Sequence, residues 1–349
     1  MSGLRPAEAP VDFGARLQPY RELVGPLLRD SGLGREPQRY LYGLIDDHMS
    51  RSGKGLRPAL CLATCRALGG DVEDAIPVAA ALEMLHNAFL VHDDIEDGSE
   101  FRRDHPTMHV AQGIPLAVNV GDAMQALSIR LVRKSAERLG PAAAWSLLDE
   151  FDHMLVQSLE GQALEIGWVR DNDCRIGEDD YLWMTLKKTC WYSFIHPFRL
   201  GALLARPSDP DLDRFNRFGF FLGVAFQIQD DVLNLAGDAR RYGKEIAGDL
   251  WEGKRTLILA DLFSKLDRFE TERLRGILAK PRPQRLARDI AWIQDRIRRY
   301  GSIDQARRTA RRFAEGAAAA FDDSFAGVPE GEDKAFLRDV VGYVITRDV

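Results

Sequence analysis

Apolar residues recur at helical spacing along almost the whole chain, and alternating apolar and polar positions do not form a series of strands anywhere. Glycine and proline punctuate the breaks between segments, as at Gly69-Gly70 and Gly140-Pro141. No break is long enough to be an interdomain linker. We therefore predict one all-α domain, a helical bundle, over residues 11–349, preceded by a flexible N-terminus at residues 1–10. The predicted helices cover 12–30, 36–51, 55–68, 75–97, 116–138, 142–167, 178–189, 191–204, 211–235, 254–264, 268–279, 284–299, 301–323 and 332–346.

The predicted helix at 75–97 ends in a dense acidic cluster that contains Asp93, Asp94, Glu96 and Asp97. A helix C-terminus already carries a partial negative charge, and the like charges of Asp93 and Asp97 lie about one turn apart. Both electrostatic costs fall if a divalent cation binds between the carboxylates. A solvated acidic turn is the alternative interpretation when this stretch is taken alone.

A second apolar helix repeats this design. The run from Phe218 to Phe226 leads into Asp230, Asp231 and Asn234. If the two acidic ends face each other across a bundle, they border a cavity with apolar walls and a cation-binding mouth. Ligand sets made only of oxygen favour a hard cation that keeps part of its water, hence Mg²⁺. A metal-bridged diphosphate above an apolar pit predicts a substrate with a diphosphate head and a hydrocarbon tail.

Basic residues accompany these segments. Lys54 and Arg57 lie near the start of the predicted helix at 55–68, a position that suits anion binding. Taken singly, each basic residue is more often a surface charge, but their grouping beside two acidic motifs favours two separate anion sites. The basic positions are Lys54, Arg57, Arg102, Arg103, Lys187, Lys188, Lys244 and Lys254.

Composition and charge limit the kinds of molecule that the protein is expected to bind. The chain has 349 residues, is 45% hydrophobic and carries a net charge of −6, so no general affinity for nucleic acid or anionic membranes is expected. Residues 1–10 lack a signal-peptide pattern, and no uncharged apolar run reaches the roughly 18 residues of a membrane span. The four cysteines form neither a zinc motif nor a disulfide framework. We expect a cytoplasmic protein without a transmembrane segment.

Taken in order, these motifs resemble the trans-isoprenyl diphosphate synthases, the polyprenyl synthetase family, from about residue 50 to 260. The resemblance implies an isoprenoid-synthase-type helical bundle around a central apolar cavity, assembled as a homodimer. The run Asp93-Asp-Ile-Glu-Asp97 and the third-position Asn234 are most similar to geranylgeranyl diphosphate synthases. The matching elements are Gly53-Lys54 with Arg57-Pro58, Asp93–Asp97 with Arg102-Arg103, Lys188-Thr189, Gln227, Asp230–Asn234, Tyr242-Gly-Lys244 and Asp249–Thr256.

In that family an allylic diphosphate ionises, the allylic cation attacks the double bond of isopentenyl diphosphate, and proton loss gives a longer product. The resemblance implies that the site residues divide by role. Metal ligands for Mg²⁺ are Asp93, Asp94, Asp97, Asp230 and Asp231. Substrate-binding residues are Arg102, Lys188, Lys244 and Lys254, with Lys54, Arg57, His86 and Arg103 for isopentenyl diphosphate, and the catalytic residues that face the cation are Lys188, Thr189 and Gln227.

Product length depends, by the same resemblance, on the residues one turn before Asp93, which are Phe89 and Ala88. One aromatic and one alanine imply a C20 product, geranylgeranyl diphosphate, with farnesyl diphosphate next. Trp191 and Tyr192 are alternative candidates for narrowing the cavity, and ordinary helix packing is the other interpretation of both.

Some positions depart from the family pattern or leave alternatives open. Ser52, Gly55 and Asp104 replace commoner residues, and Asn234 is expected to bind metal more weakly than aspartate. His86 on an apolar helix is also compatible with a satisfied core histidine. A class I terpene cyclase and a non-catalytic partner subunit are the remaining alternatives. A carboxylate-bridged di-iron bundle, which is built on Glu-x-x-His pairs, is disfavoured.

Overall fold

Helices form nearly all of the chain that the computed structural model describes, which is residues 13–30, 34–51, 53–206, 208, 211–237 and 246–346. The all-α prediction is confirmed. The predictions for residues 1–10 and for Lys244 lie outside the described residues, and the single-domain limits stay a prediction. The helices are α1 (Phe13–Asp30), α2 (Gly43–Ser50), α3 (Leu56–Ala67), α4 (Val72–Asp97), α5 (Met108–Gln112), α6 (Ile114–Leu139), α7 (Pro141–Arg170), α8 (Glu178–Thr185), α9 (His196–Ala205), α10 (Asn216–Ala236), α11 (Gly248–Glu252), α12 (Leu257–Lys265), α13 (Arg268–Leu278), α14 (Ala287–Tyr300), α15 (Ser302–Ser324) and α16 (Glu332–Thr346), with π-helices at Gln38–Tyr42 and Leu186–Ile195 and 3₁₀ turns at Asp213–Phe215 and Arg282–Gln284.

The helix at the centre of the bundle is α4. Asp71 caps its N-terminus by accepting a hydrogen bond from the Glu73 backbone N–H at 3.0 Å, and Gly98 ends it with φ of 64°. Half of its residues are buried, because α4 packs against α1, α3 and α6. By length and hydropathy α4 could cross a membrane, but 67% of its most apolar window is buried within the protein, as in a core helix.

The second helix that carries an acidic end is α10. Its apolar part packs against α15 and against the π-helix Leu186–Ile195. Phe218 of α10 meets Phe321 of α15 edge to face, with ring centroids 5.5 Å apart. Both α4 and α10 line one cavity near their C-terminal ends, so the bundle brings the two acidic motifs together.

Several regions differ from the predicted elements, among them the short helices α5 and α11, which the sequence pattern does not predict. Residues 178–205 form one continuous helical rod rather than two helices, and the middle of the rod is the π-helix Leu186–Ile195. π-helical turns occur frequently at functional sites. After α4 a short hairpin pairs β1 (Phe101–Arg102) with β2 (His105–Pro106), and its turn residues Arg103 and Asp104 have φ of 53° and 62°. Strands of two residues are too short to show an alternating pattern.

Candidate active site

A cavity of about 510 Å³ lies between α3, α4, α7, α10 and the rod at 178–205. Both acidic motifs contribute to its lining, through Asp93 of α4 and through Asp230 and Asp231 of α10. Apolar side chains form another part of the lining, so one space offers both a charged and an apolar surface. These apolar residues include Phe89, Leu90, Leu159, Met184 and Phe226.

Three carboxylates converge at the charged part of this cavity. Oxygen atoms of Asp93, Asp97 and Glu165 all lie within 4.8 Å of one another. Asp93 and Asp97 lie one turn apart on α4, while Glu165 comes from α7. Carboxylates from different helices, placed at this spacing, match the donor set that Mg²⁺ and other hard divalent cations prefer. The residues present therefore fit a divalent metal ion.

Two lysines contact this carboxylate group. Lys254 donates to Asp97 Oδ2 at 2.6 Å, and Lys188 bonds to Glu165 and lies 3.3 Å from Asp93 Oδ1. Lys254 lies in the turn between α11 and α12 rather than in the helix predicted to start at 254. Burial raises the pKa of Asp97, and Lys254 acts in the opposite direction. The negative charge of the three carboxylates is therefore partly offset by two lysines of the same chain.

Asp94 lies outside this group, so its role as a metal ligand stays a prediction that the carboxylate geometry does not support. It is only 1% exposed and is not among the residues that line the large cavity. Arg102 donates to it through Nε at 2.7 Å, and a second Arg102 nitrogen lies 3.2 Å from Asp93. Asp94 thus anchors Arg102, and Arg102 reaches the cavity beside Asp93.

The second acidic motif is organised by neutral hydrogen bonds. Asp231 accepts from the Tyr181 hydroxyl at 2.7 Å and from Gln227 Nε2 at 2.9 Å, while Thr189 donates to Gln227 Oε1 at 2.8 Å. Burial raises the pKa of Asp231 to about 7. The predicted ligand Asp231 therefore orients Gln227 and Thr189, which line the cavity beside Asp230.

Asn234 is buried, and its side-chain oxygen accepts from the Asp249 backbone N–H at 3.2 Å. Its backbone carbonyl also accepts from Ala247 N–H at 2.8 Å. The third position of this motif therefore holds the start of α11 in place.

The four residues predicted to bind isopentenyl diphosphate, Lys54, Arg57, His86 and Arg103, all line the cavity. Arg57 donates to the Tyr192 hydroxyl at 2.9 Å and to Ser193 at 2.8 Å, and its guanidinium lies 4.4 Å from the Tyr192 ring centroid. Lys54 donates to the Tyr343 hydroxyl at 3.0 Å. Burial lowers the pKa of His86, and its Nδ1 has no hydrogen-bond partner among the described residues.

The residues predicted to set product length lie in different environments in the structure. Phe89 lines the cavity and meets Tyr192 edge to face at 5.4 Å between centroids. Ala88 has no exposed surface and is not part of the lining, so its role in product length stays a prediction that the cavity lining does not support. Trp191 packs against His153 and His196, and Tyr192 is the aromatic residue of this pair that lines the cavity.

Sequence reasoning missed several residues of the lining, chiefly Glu165, Tyr181, Glu83 and Tyr343. A signal for Glu165 was present one turn earlier on α7. A side chain at Gly161 would place its Cβ only 2.3 Å from the Lys188 backbone nitrogen, so α7 and the π-helix touch at this glycine. A glycine in the middle of a helix, followed by a glutamate, was a usable indication of close approach to a polar site.

Comparison with known proteins gives consistent matches. The profile of the family described as polyprenyl synthetase matches residues 38–292. A geranylgeranyl pyrophosphate synthase of Geoglobus acetivorans is 31% identical over 329 residues, 94% of this chain and 95% of that protein. A geranylfarnesyl diphosphate synthase of Aeropyrum pernix is 33% identical over 301 residues, 84% of this chain and 90% of that protein. A solved structure of a polyprenyl synthase from Caulobacter crescentus CB15, complexed with calcium and isoprenyl diphosphate, superposes with a TM-score of 0.85 at 26% identity and covers 99% of this chain and 100% of that one.

Proposed function

The chain belongs to the polyprenyl synthetase family, and on that premise we propose that it is a Mg²⁺-dependent trans-prenyltransferase that makes geranylgeranyl diphosphate. The substrates are isopentenyl diphosphate and a shorter allylic diphosphate. One observation carries the proposal: a single cavity joins the carboxylates of Asp93 and Glu165, the cations of Lys54 and Arg57, and an apolar wall. Farnesyl diphosphate is the alternative product.

The allylic diphosphate occupies the acidic part of the cavity in this proposal. Asp93, Asp97, Glu165 and Asp230 would hold Mg²⁺. When bound, the metal neutralises the charge that develops on the departing diphosphate. Lys188, Lys254 and Arg102, each already in contact with a carboxylate of the site, bind phosphate oxygens as well.

Isopentenyl diphosphate binds to Lys54, Arg57, His86 and Arg103. The allylic carbon–oxygen bond breaks, and a carbon–carbon bond forms to the terminal double bond of isopentenyl diphosphate. The proton lost from the adduct passes to the departed diphosphate. Thr189 and Gln227 present oxygen dipoles toward the cation, and the apolar wall excludes water, which would otherwise capture the cation.

Phe89 is the proposed floor that limits product length, because it lines the cavity one turn before Asp93. Phe89→Ala is expected to shift the product to longer chains, as measured by chromatography of the dephosphorylated products. Ala88→Ser, a change outside the lining, is the matched control and is expected to leave product length unchanged. An unaltered product from Phe89→Ala would place the floor elsewhere, with Tyr192 the next residue to test.

A homodimer is part of the proposal. Large apolar side chains are exposed on α6, α7 and α8, and Trp145 is 69% exposed. Large apolar side chains exposed on neighbouring helices are typical of an interface between subunits. Light scattering that shows a monomer at micromolar concentration would contradict this part. The exposed residues are Val118, Ile129, Trp145, Val156, Leu159, Ile166 and Trp183.

The competing functions are less well supported by the cavity. A class I terpene cyclase takes one diphosphate substrate and has no use for the second cationic group at Lys54, Arg57 and Arg103. A non-catalytic partner subunit has no need of converging carboxylates. We also propose a cytoplasmic location, with no nucleic-acid partner.

The deciding experiment is incubation with labelled isopentenyl diphosphate, Mg²⁺ and each allylic starter in turn, followed by chain-length analysis. We expect incorporation, loss of incorporation with a chelator, and a C20 product. Folded protein that incorporates no label with any starter would overturn the proposed function. Conversion of a single allylic diphosphate to a cyclic hydrocarbon would favour the cyclase instead.

A further inference from the structure

A very small cavity lies behind the hairpin that carries Arg102 and Arg103. It has a volume of about 10 Å³, and His48, Asp94, Arg102 and Arg103 are among its lining residues. A polar cavity of this size accommodates one water molecule. This small cavity is therefore lined both by the two arginines proposed to bind substrate and by a histidine that has no role in the proposed mechanism.

His48 lies in the last turn of α2 and is 6% exposed. Its Nε2 is buried and makes no hydrogen bond with any residue in the described chain. Burial and the positive charges of Arg103, Arg51 and Arg102 lower the pKa of His48 to about 4. A neutral imidazole offers one acceptor and one donor nitrogen, and a buried ring nitrogen is costly to leave without a partner.

Arg102 and Arg103 also donate hydrogen bonds to other groups near the small cavity. Arg102 Nε donates to Asp94 Oδ1 at 2.7 Å, and Arg103 donates to the Arg51 backbone carbonyl at 3.2 Å. Arg103 has φ of 53°, so the hairpin turn fixes an unusual backbone conformation at this position. α2, α4 and the hairpin thus meet around the small cavity, and His48 is the contribution of α2.

We propose that His48 is a positioning residue, whose imidazole, through one enclosed water molecule, holds the guanidinium groups of Arg102 and Arg103 in their orientation toward the large cavity. The inference rests on the proposed function, since it assigns a role in diphosphate binding. His48 does not touch the substrate. Its effect passes through the arginines, so it changes affinity for the diphosphate rather than the chemical step.

The test compares His48→Phe, which fills the space without a ring nitrogen, with His48→Gln, whose amide is long enough to replace the acceptor. Binding of inorganic diphosphate in the presence of Mg²⁺ is measured by calorimetry, alongside kcat and KM for isopentenyl diphosphate. We expect His48→Phe to weaken diphosphate binding about tenfold and to raise KM similarly, as loss of one buried hydrogen bond implies, with kcat within about threefold. His48→Gln should recover most of the affinity.

A packing role predicts another outcome. If His48→Phe and His48→Gln bind diphosphate as the unaltered protein does and differ only in melting temperature, His48 is a core residue and the inference is wrong. Should His48→Phe not fold, His48→Asn replaces it: weak binding by asparagine with recovery by glutamine supports the inference, and equal affinities overturn it. Failure of the unaltered protein to incorporate label is a separate result, which removes the proposed function itself.

Discussion

The two acidic helix ends are similar in sequence but differ in what surrounds their carboxylates. At the end of α4, Asp93 and Asp97 converge with Glu165, and their partners are the ammonium groups of Lys188 and Lys254. An ammonium group on a long flexible side chain can move from a carboxylate to a phosphate when a metal ion and substrate arrive. This end therefore has the composition of a metal-binding site.

The end of α10 is different, because the described hydrogen-bond donors to Asp231 and Asn234 are neutral groups. Asp231 is bonded to Tyr181 and Gln227, and Asn234 is bonded to the backbone of Asp249. These bonds position side chains and hold the following turn. A repeated acidic motif therefore need not mean a repeated role, and only Asp230 of this motif is proposed as a ligand.

The largest effect is expected from the converging carboxylates. Asp93→Asn and Glu165→Gln should each lower turnover about a thousandfold or more, because both remove a charge that holds the metal at the leaving group. Glu96→Gln is the matched control, since Glu96 lies in the same motif but outside the carboxylate group and accepts from Gln162 at 2.7 Å. Initial rates of label incorporation measure the effect. Equal losses in all three variants would mean that the three-carboxylate group has no special role.

A smaller effect is expected at the end of α10. Tyr181→Phe removes one hydrogen bond to Asp231, and Asp231→Asn disturbs the bond to Gln227, so each should lower turnover about ten- to a hundredfold, as changes behind a functional group commonly do. The Mg²⁺ concentration for half-maximal rate should change little. If Asp231→Asn behaves like Asp93→Asn in its metal dependence, Asp231 is a ligand and the two ends are equivalent.

Most of the helices, and the presence of the two acidic motifs on one cavity, could be predicted from the sequence. Helical periodicity is strong in long amphipathic or buried segments, and acidic charge clustered at two apolar helix ends is electrostatically costly unless a cation binds there. The sequence could not show that Asp94 turns away from the cavity, because Asp93 and Asp94 are identical residue types. Their surroundings separate their roles: Asp94 is buried against Arg102, whereas Asp93 also contacts Lys188 and converges with Glu165.

The rest depended on contacts between distant segments. Glu165 belongs to none of the quoted motifs, and its one indication, Gly161 a turn earlier on α7, marks contact with the π-helix rather than with Asp93. The π-helix itself has no periodic signature that distinguishes it from an α-helix over ten residues. Ala88 was assigned to the cavity by its distance from Asp93 in sequence, but neighbouring positions on a helix point in different directions.

The acidic ends of α4 and α10 should also differ in how they affect the stability of the metal-free protein. Burial and the charge of Asp230 raise the pKa of Asp231 from 3.8 to about 7. Because the folded-state pKa exceeds the unfolded value, this residue's contribution to stability is full below about pH 4 and is lost as pH rises toward 7, by at most about 4 kcal/mol. The difference in unfolding free energy between unaltered protein and Asp231→Asn, measured in urea with a chelator from pH 5 to 8, should therefore shift in favour of the variant. Parallel pH profiles would show that Asp231 is ionised throughout.

The smallest effect concerns Asn234, where an aspartate would complete the second acidic motif. The side-chain oxygen of Asn234 is buried and accepts from the Asp249 N–H at 3.2 Å, and an aspartate oxygen can accept the same bond. Asn234→Asp should therefore change turnover and the half-maximal Mg²⁺ concentration by less than about threefold, because the residue supports α11 rather than the metal. Rates across a Mg²⁺ titration provide the measurement. A tenfold lower Mg²⁺ requirement in Asn234→Asp would instead assign the third position of the motif to the metal site. A single substitution would then account for the difference between the two acidic helix ends.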